Sequence, residues 1–133
     1  MARRIGRPDA ASQARLQLVL VALAAWDLLA FLLQLVNAGL VKAHDVDGLL
    51  GARSYTGATA VLGIAYLYAA RNPIRHRVIL WLASLEQIVA LFSTTFHWAR
   101  GDLTAGESII TIAAAAIFLV LLMTNLPRQT DTI

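Results

Sequence analysis

Four long apolar runs dominate this chain, and they leave few folds open to it. A helix needs about 20 mainly apolar residues to cross the hydrocarbon core of a bilayer. The runs lie at 16–41, 52–70, 78–98 and 108–125, and each is continuous and rich in Leu and Ala. A membrane β-barrel needs many segments of about 10 residues with alternating polarity, and these runs do not alternate. The expected fold is therefore all-α: a four-helix transmembrane bundle forming a single integral membrane domain over residues 1–133.

Composition supports this. Apolar residues make up 59% of the chain and charged residues 14%, against about 45–50% and about 25% in soluble domains. An ordinary soluble globule and a disordered tail are excluded. A nucleic-acid module is excluded too, because the basic residues form no stripe among aromatics. The absence of Cys removes disulfides, thiolate zinc sites and Cys catalysis.

Local punctuation agrees with four spans. Arg71-Asn72-Pro73 closes the second run, since proline disfavours helix in the residue before it. Gly101 and Gly106 bracket a turn between the third and fourth runs, and Pro127 follows the fourth. The basic start and Ala22-Leu23-Ala24 resemble a signal peptide, but the apolar run continues to Val41, too long for a signal h-region.

Orientation follows from Lys and Arg in the short loops, which favour the cytoplasmic side. Of the 11 such residues, Arg3, Arg4, Arg7, Arg15, Arg71, Arg75, Arg77 and Arg128 fall on one side. Lys42, Arg53 and Arg100 fall on the other. Both termini are thus expected in the cytoplasm, as an even number of spans requires. The basic turn with Arg71, Arg75 and Arg77 reads as a topology anchor that also attracts anionic lipid head groups.

In such a chain the informative residues are the polar ones inside the spans. An ionisable group at the bilayer centre costs roughly 2.5–3.5 kcal/mol on insertion scales and faces the bundle interior. Asp27 and Glu86 are two such acids, on spans that start from the same side. At 1.5 Å per residue their depths are roughly 16 and 12 Å. With no Lys or Arg at that level, they are expected to be protonated, hydrogen-bonded, or compensated by a bound cation.

Helical spacing extends the polar faces. Gln34 and Asn37 follow Asp27 at seven and ten residues, and Ser93 and His97 follow Glu86 at seven and eleven. Tyr55, Thr59 and Tyr66 share a side of the second span. Asp27, Glu86, Gln34, Asn37, Tyr66 and Ser93 are the candidate ligand or proton site. Hydroxyl and amide side chains in spans also serve as interhelical glue, and Trp26 and Trp81 are expected to be packing residues. Neither a metal site nor a cofactor is expected: the outer residues His44, Asp45, Asp47, His97, Asp102 and Glu107 offer no ligand pair at metal-binding helical spacing. The motifs GxSxG, HExxH, GxGxxG and the P-loop are all missing, so catalysis is not expected.

The stretch GLLGARSYTGATAVLGIAYLYAARNPIRHR (Gly48–Arg77) resembles the DoxX-like group of small bacterial membrane proteins. The matching positions are Arg53, Gly63, Ala69, Ala70, Arg71, Pro73, Arg75, His76 and Arg77, in an AARxPxRHR-type loop. The resemblance covers about a quarter of the chain and implies a four-helix bundle; the expected location is the bacterial inner membrane. The expected function is an interior acidic site for a proton, a cation or a small amphipathic ligand. The alternative is an accessory or assembly subunit of a larger membrane complex. Membrane lipids are the expected partners, with a larger complex or a homo-oligomer as further possibilities, and no nucleic acid.

Overall fold

A computed structural model describes residues 10–126 apart from 40 and 43. Arg3, Arg4, Arg7, Pro127 and Arg128 lie outside the described residues. The described residues form four helices and no strand: α1 (Ala10–Leu35), α2 (Val46–Ala70), α3 (Arg77–Ala99) and α4 (Ala105–Asn125). They are 26, 25, 23 and 21 residues long, so each rises at least about 30 Å. Three of them, α1, α3 and α4, are both long and apolar enough to cross a membrane.

The helices are joined as two hairpins. α1 packs closely along α2, and α3 along α4, whereas α1–α4 and α2–α3 contacts are sparser. The diagonal pairs α1/α3 and α2/α4 make no close backbone approach among the described residues. This is the ring order of an up-down-up-down bundle. One end, here called proximal, holds the start of α1 and the α2–α3 turn. The distal end holds the α1–α2 and α3–α4 connections.

Polarity is inverted relative to a soluble bundle. Leu18, Val61, Phe92 and Val120, one from each helix, are 60–75% exposed. Asp27, Gln34, Thr59, Ser84, Gln87 and Ser108 are buried. Lipid tails are as apolar as leucine, so such a core is held by van der Waals packing and internal hydrogen bonds rather than by expulsion of water. The apolar part of the core sits proximally, where Leu16, Leu20 and Leu23 of α1 meet Tyr66 and Ala69 of α2, Leu80 of α3 and Leu122 of α4. Trp81 does not join it; its side chain is exposed, which corrects its expected packing role.

Helix ends depart from the apolar runs for identifiable reasons. The first run was expected to stay helical to Val41, but α1 stops at Leu35. Asn37 takes a positive φ of 52°, and Ala38 and Asn37 donate to the carbonyls of Leu33 (2.8 Å) and Gln34 (3.1 Å). That is a Schellman motif, in which a left-handed residue satisfies the last carbonyls. α2 starts earlier than expected because Asp45 caps it, accepting the Gly48 N–H at 2.6 Å. Arg53 therefore lies within α2, not in a loop. α4 opens with a capping box between Thr104 and Glu107.

Gly63 permits the tight contact between α1 and α2. A Cβ there would lie 3.3 Å from both the Ala24 carbonyl oxygen and the Asp27 Cβ. Close backbone approach at small residues is the usual means of membrane helix association. Gly63→Leu should therefore push α1 from α2 and destabilise the fold by about 1–3 kcal/mol, with Gly63→Ala costing less. Thermal unfolding in detergent, followed by helical circular dichroism, measures both.

Candidate functional site

The polar interior begins where the leucine core ends. Asp27 stands four residues beyond Leu23 on α1, and its Cβ faces Gly63 of α2. Tyr66 lies three residues from Gly63 on the same helix, roughly 4.5 Å along the axis. Its hydroxyl donates to Oε2 of Glu86 on α3. α2 thus brings Asp27 and Glu86, on diagonal helices, to nearly the same level. Glu86 lies within electrostatic reach of Asp27, and both carboxyls within reach of Tyr55 and Tyr66.

The two acids are differently satisfied. Oε2 of Glu86 also accepts from Gln87 Nε2 at 3.3 Å. Asp27 is 4% exposed, and its Oδ2 has no hydrogen-bond partner. No hydrogen bond joins the two carboxyls among the described residues. A buried acceptor left unmet costs free energy comparable to a lost hydrogen bond or more, so Asp27 is the site's unsatisfied element.

Other candidates divide. Gln34 is buried on the face of Asp27, seven residues on, and its Nε2 is also without a partner. A Cβ on Gly39 would collide with its carboxamide oxygen, so this glycine leaves room for the amide. Asn37 does not continue the face; it is the left-handed residue beyond the end of α1. Ser93 is half-buried on α3. Arg71, Arg75 and Arg77 lie at the proximal turn, where Arg71 and Arg75 are exposed and Arg77 half-buried. Tyr55 is half-exposed beside the carboxyls, while Thr59 and Tyr66 are buried.

The hydroxyls behave otherwise than expected. Thr59, Ser84, Ser108 and Thr111 donate to carbonyls three or four residues back in their own helices, at 2.9–3.0 Å. They satisfy themselves locally and do not glue helices together. Two further residues escaped sequence reading. Gln87 is buried beside Glu86, one residue off the spacing that joins Glu86 to Ser93 and His97. Arg53 reaches from α2 to the Leu35 carbonyl at 2.8 Å, so a cation closes the C-terminal end of α1, where the helix dipole favours it. The signal for Arg53 was an arginine inside an otherwise apolar helix.

A surface groove of about 290 Å³ on α4, lined by Ala116, Ile117, Val120 and Leu121, contains none of these groups. At the distal end, His97 Nδ1 pairs with Asp102 Oδ2 at 2.8 Å, and Arg100 Nε lies 3.6 Å from the same oxygen. Among the described residues, no three His, Asp or Glu side chains gather as a metal site.

Compared with known proteins, the chain matches no family model, no curated protein and no solved structure.

The hydrogen bond with His97, aided by Arg100, holds the Asp102 carboxyl below its ordinary value. The stabilisation this gives the α3–α4 turn is fully present above the ordinary carboxylate range and is lost as pH falls through the lowered value. His97→Ala should raise the Asp102 pKa toward its ordinary value, with Arg100 still holding it somewhat below, as read from a carbon-13 carboxyl titration.

Proposed function

We propose that this chain is a four-span membrane protein with both termini in the cytoplasm, whose interior holds an acidic site for a proton, a cation or a small amphipathic ligand. One observation carries the reading: Asp27 is buried with an unpartnered oxygen at nearly the level of Glu86. Ionisable groups are retained inside spans where they serve a pathway or a ligand. Gln34, Tyr66 and Ser93 line the polar face. α2 serves as the fourth span: its exposed residues Val61, Ile64 and Leu67 are apolar, while Thr59 and Tyr66 are buried. Resemblance of Gly48–Arg77 to DoxX-like proteins supports the bundle, which we place in a bacterial inner membrane. Asn37 contributes by closing α1, and Arg71, Arg75 and Arg77 by attracting anionic head groups at the cytoplasmic face.

A second reading, an accessory subunit of a larger membrane complex, rests on α4. That helix buries the smallest share of its apolar length among the three apolar helices and carries the surface groove. A partner that stays bound through purification in mild detergent supports it; a stable lone protomer counts against it.

Dicyclohexylcarbodiimide, which reacts with protonated carboxyls in apolar surroundings, tests the first reading. Peptide mass spectrometry should find Asp27 or Glu86 modified and the loop acids unmodified. The double variant Asp27→Asn, Glu86→Gln should lose the label. A native protein labelled at neither position contradicts the reading.

Because the chain has no Cys, single cysteines report topology cleanly. With a membrane-impermeant maleimide on intact cells, Asp47→Cys should label, and Asn72→Cys should label only after permeabilisation. The reverse pattern would invert the proposed orientation.

A further inference from the structure

We infer that the acidic site takes a lipophilic organic cation, an amine or onium ion dissolved in the membrane, which enters between α2 and α3 and rests its charge against Asp27 and Glu86. This rests on the reading of that pair as a ligand site and names the ligand's chemistry and route.

The binding chemistry comes from the side chains present. Oδ2 of Asp27 is buried and unpartnered, whereas Oε2 of Glu86 already accepts from Tyr66 and Gln87. The pair therefore presents a buried, unpartnered acceptor and a second carboxyl within electrostatic reach of it. A hard metal ion asks for more: calcium takes about 6–8 oxygens at short range, and no three acidic or histidine side chains gather among the described residues. A bulky onium or heavily alkylated ammonium ion spreads its charge under hydrocarbon groups and sheds water easily. It needs few acceptors and gains from an aromatic face. Tyr55 of α2 is a half-exposed aromatic within electrostatic reach of both carboxyls, and its ring is assigned as that face.

The route comes from the packing. α1–α2 and α3–α4 are closely packed, but α2–α3 is the sparsest contact between neighbouring helices. Tyr55 on α2 is 53% exposed, and Glu86 on α3 is only partly buried. Glu86 is thus partly accessible from the surface, whereas Asp27 is buried, so a ligand must part these lightly packed helices to reach it. The exposed residues of α3 next to Glu86, Leu85, Ile88 and Val89, are apolar, so what arrives there comes from hydrocarbon. A solute that partitions into lipid and carries a positive charge matches both the approach and the destination.

Isothermal titration of the full chain in dodecyl maltoside micelles tests this, with tetraphenylphosphonium as the probe and uncharged triphenylphosphine oxide as its control. Saturable binding of the phosphonium alone is expected, undisturbed by a large excess of Na⁺ or K⁺. Asp27→Asn should weaken it by at least about 10-fold, as loss of a buried charge partner requires. Tyr55→Ala should weaken it about 3- to 10-fold while Tyr55→Phe retains it, because the ring and not the hydroxyl faces the cation. Tyr55 is half-exposed, so its variants decide the matter if Asp27→Asn does not fold. Equal binding of the uncharged control, no phosphonium binding, or indifference to Tyr55→Ala or to a folded Asp27→Asn overturns the inference. Carbodiimide labelling of Asp27 or Glu86 without phosphonium binding overturns the ligand class and leaves the acidic site standing. Failure of both experiments removes both.

Discussion

Hydrocarbon offers no hydrogen-bond partner, so every polar group carried into a bilayer must be satisfied by the protein itself. The rest of this structure answers to that constraint. Backbone groups are met by four helices whose ends are closed by Asn37, Asp45, Arg53 and Thr104. Hydroxyls are met by the carbonyls of their own helices. Glu86 is met by Tyr66 and Gln87. Among the described residues, buried atoms left over are Oδ2 of Asp27, Nε2 of Gln34 and Nε of Arg53, and Asp27, the one carboxyl among them, draws the functional reading to itself.

The fold positions this carboxyl through a division of labour between its two ends. Leucines and alanines from all four helices or their flanks make a dry proximal core, where nothing polar needs a partner. That core holds the hairpins in register and sets Tyr66 against α3. Gly63, one turn away, lets α1 come close enough for Asp27 to share the level of Glu86. Each hairpin contributes one acid, and α2 presents tyrosines to both. The seam between hairpins is less closely packed than either hairpin is within itself; Glu86 meets α2 across that seam, while Asp27 is held at the tight α1–α2 contact.

Much of this was legible in the residues. The four apolar runs gave four helices because length and continuity are strong signals. Rise per residue sets Asp27 and Glu86 at roughly 16 and 12 Å from the starts of their apolar runs, but α1 begins at Ala10, before its run, so it is the packing of both against α2 that brings them near each other; the inward face of Gln34 follows from its spacing to Asp27. Other features depend on local geometry that periodicity does not carry. Asn37 fell out of its expected stripe because a left-handed turn ended α1 before it. Arg53 stands at the start of the 52–70 run, but the cap at Asp45 begins α2 two turns earlier, which sets Arg53 inside the helix and within reach of the end of α1. Trp81 reads as packing by size, but its face of α3 points outward. Tyr66 was placed on the polar face of α2, yet its bond to Glu86 is a tertiary contact that no spacing within one helix reveals.

The central claim is that Asp27 and Glu86 turn inward and face each other across the seam inside the membrane. In a chain without native cysteine, the double variant Asp27→Cys, Glu86→Cys treated in native membranes with a short bifunctional methanethiosulfonate addresses this most directly. The account predicts an internal cross-link within one chain, and none when Leu18 and Phe92, outward residues of the same two helices, are replaced instead. A 27–86 pair that stays unlinked, with both thiols quenched by a lipid-borne nitroxide as readily as the outward pair, would contradict it.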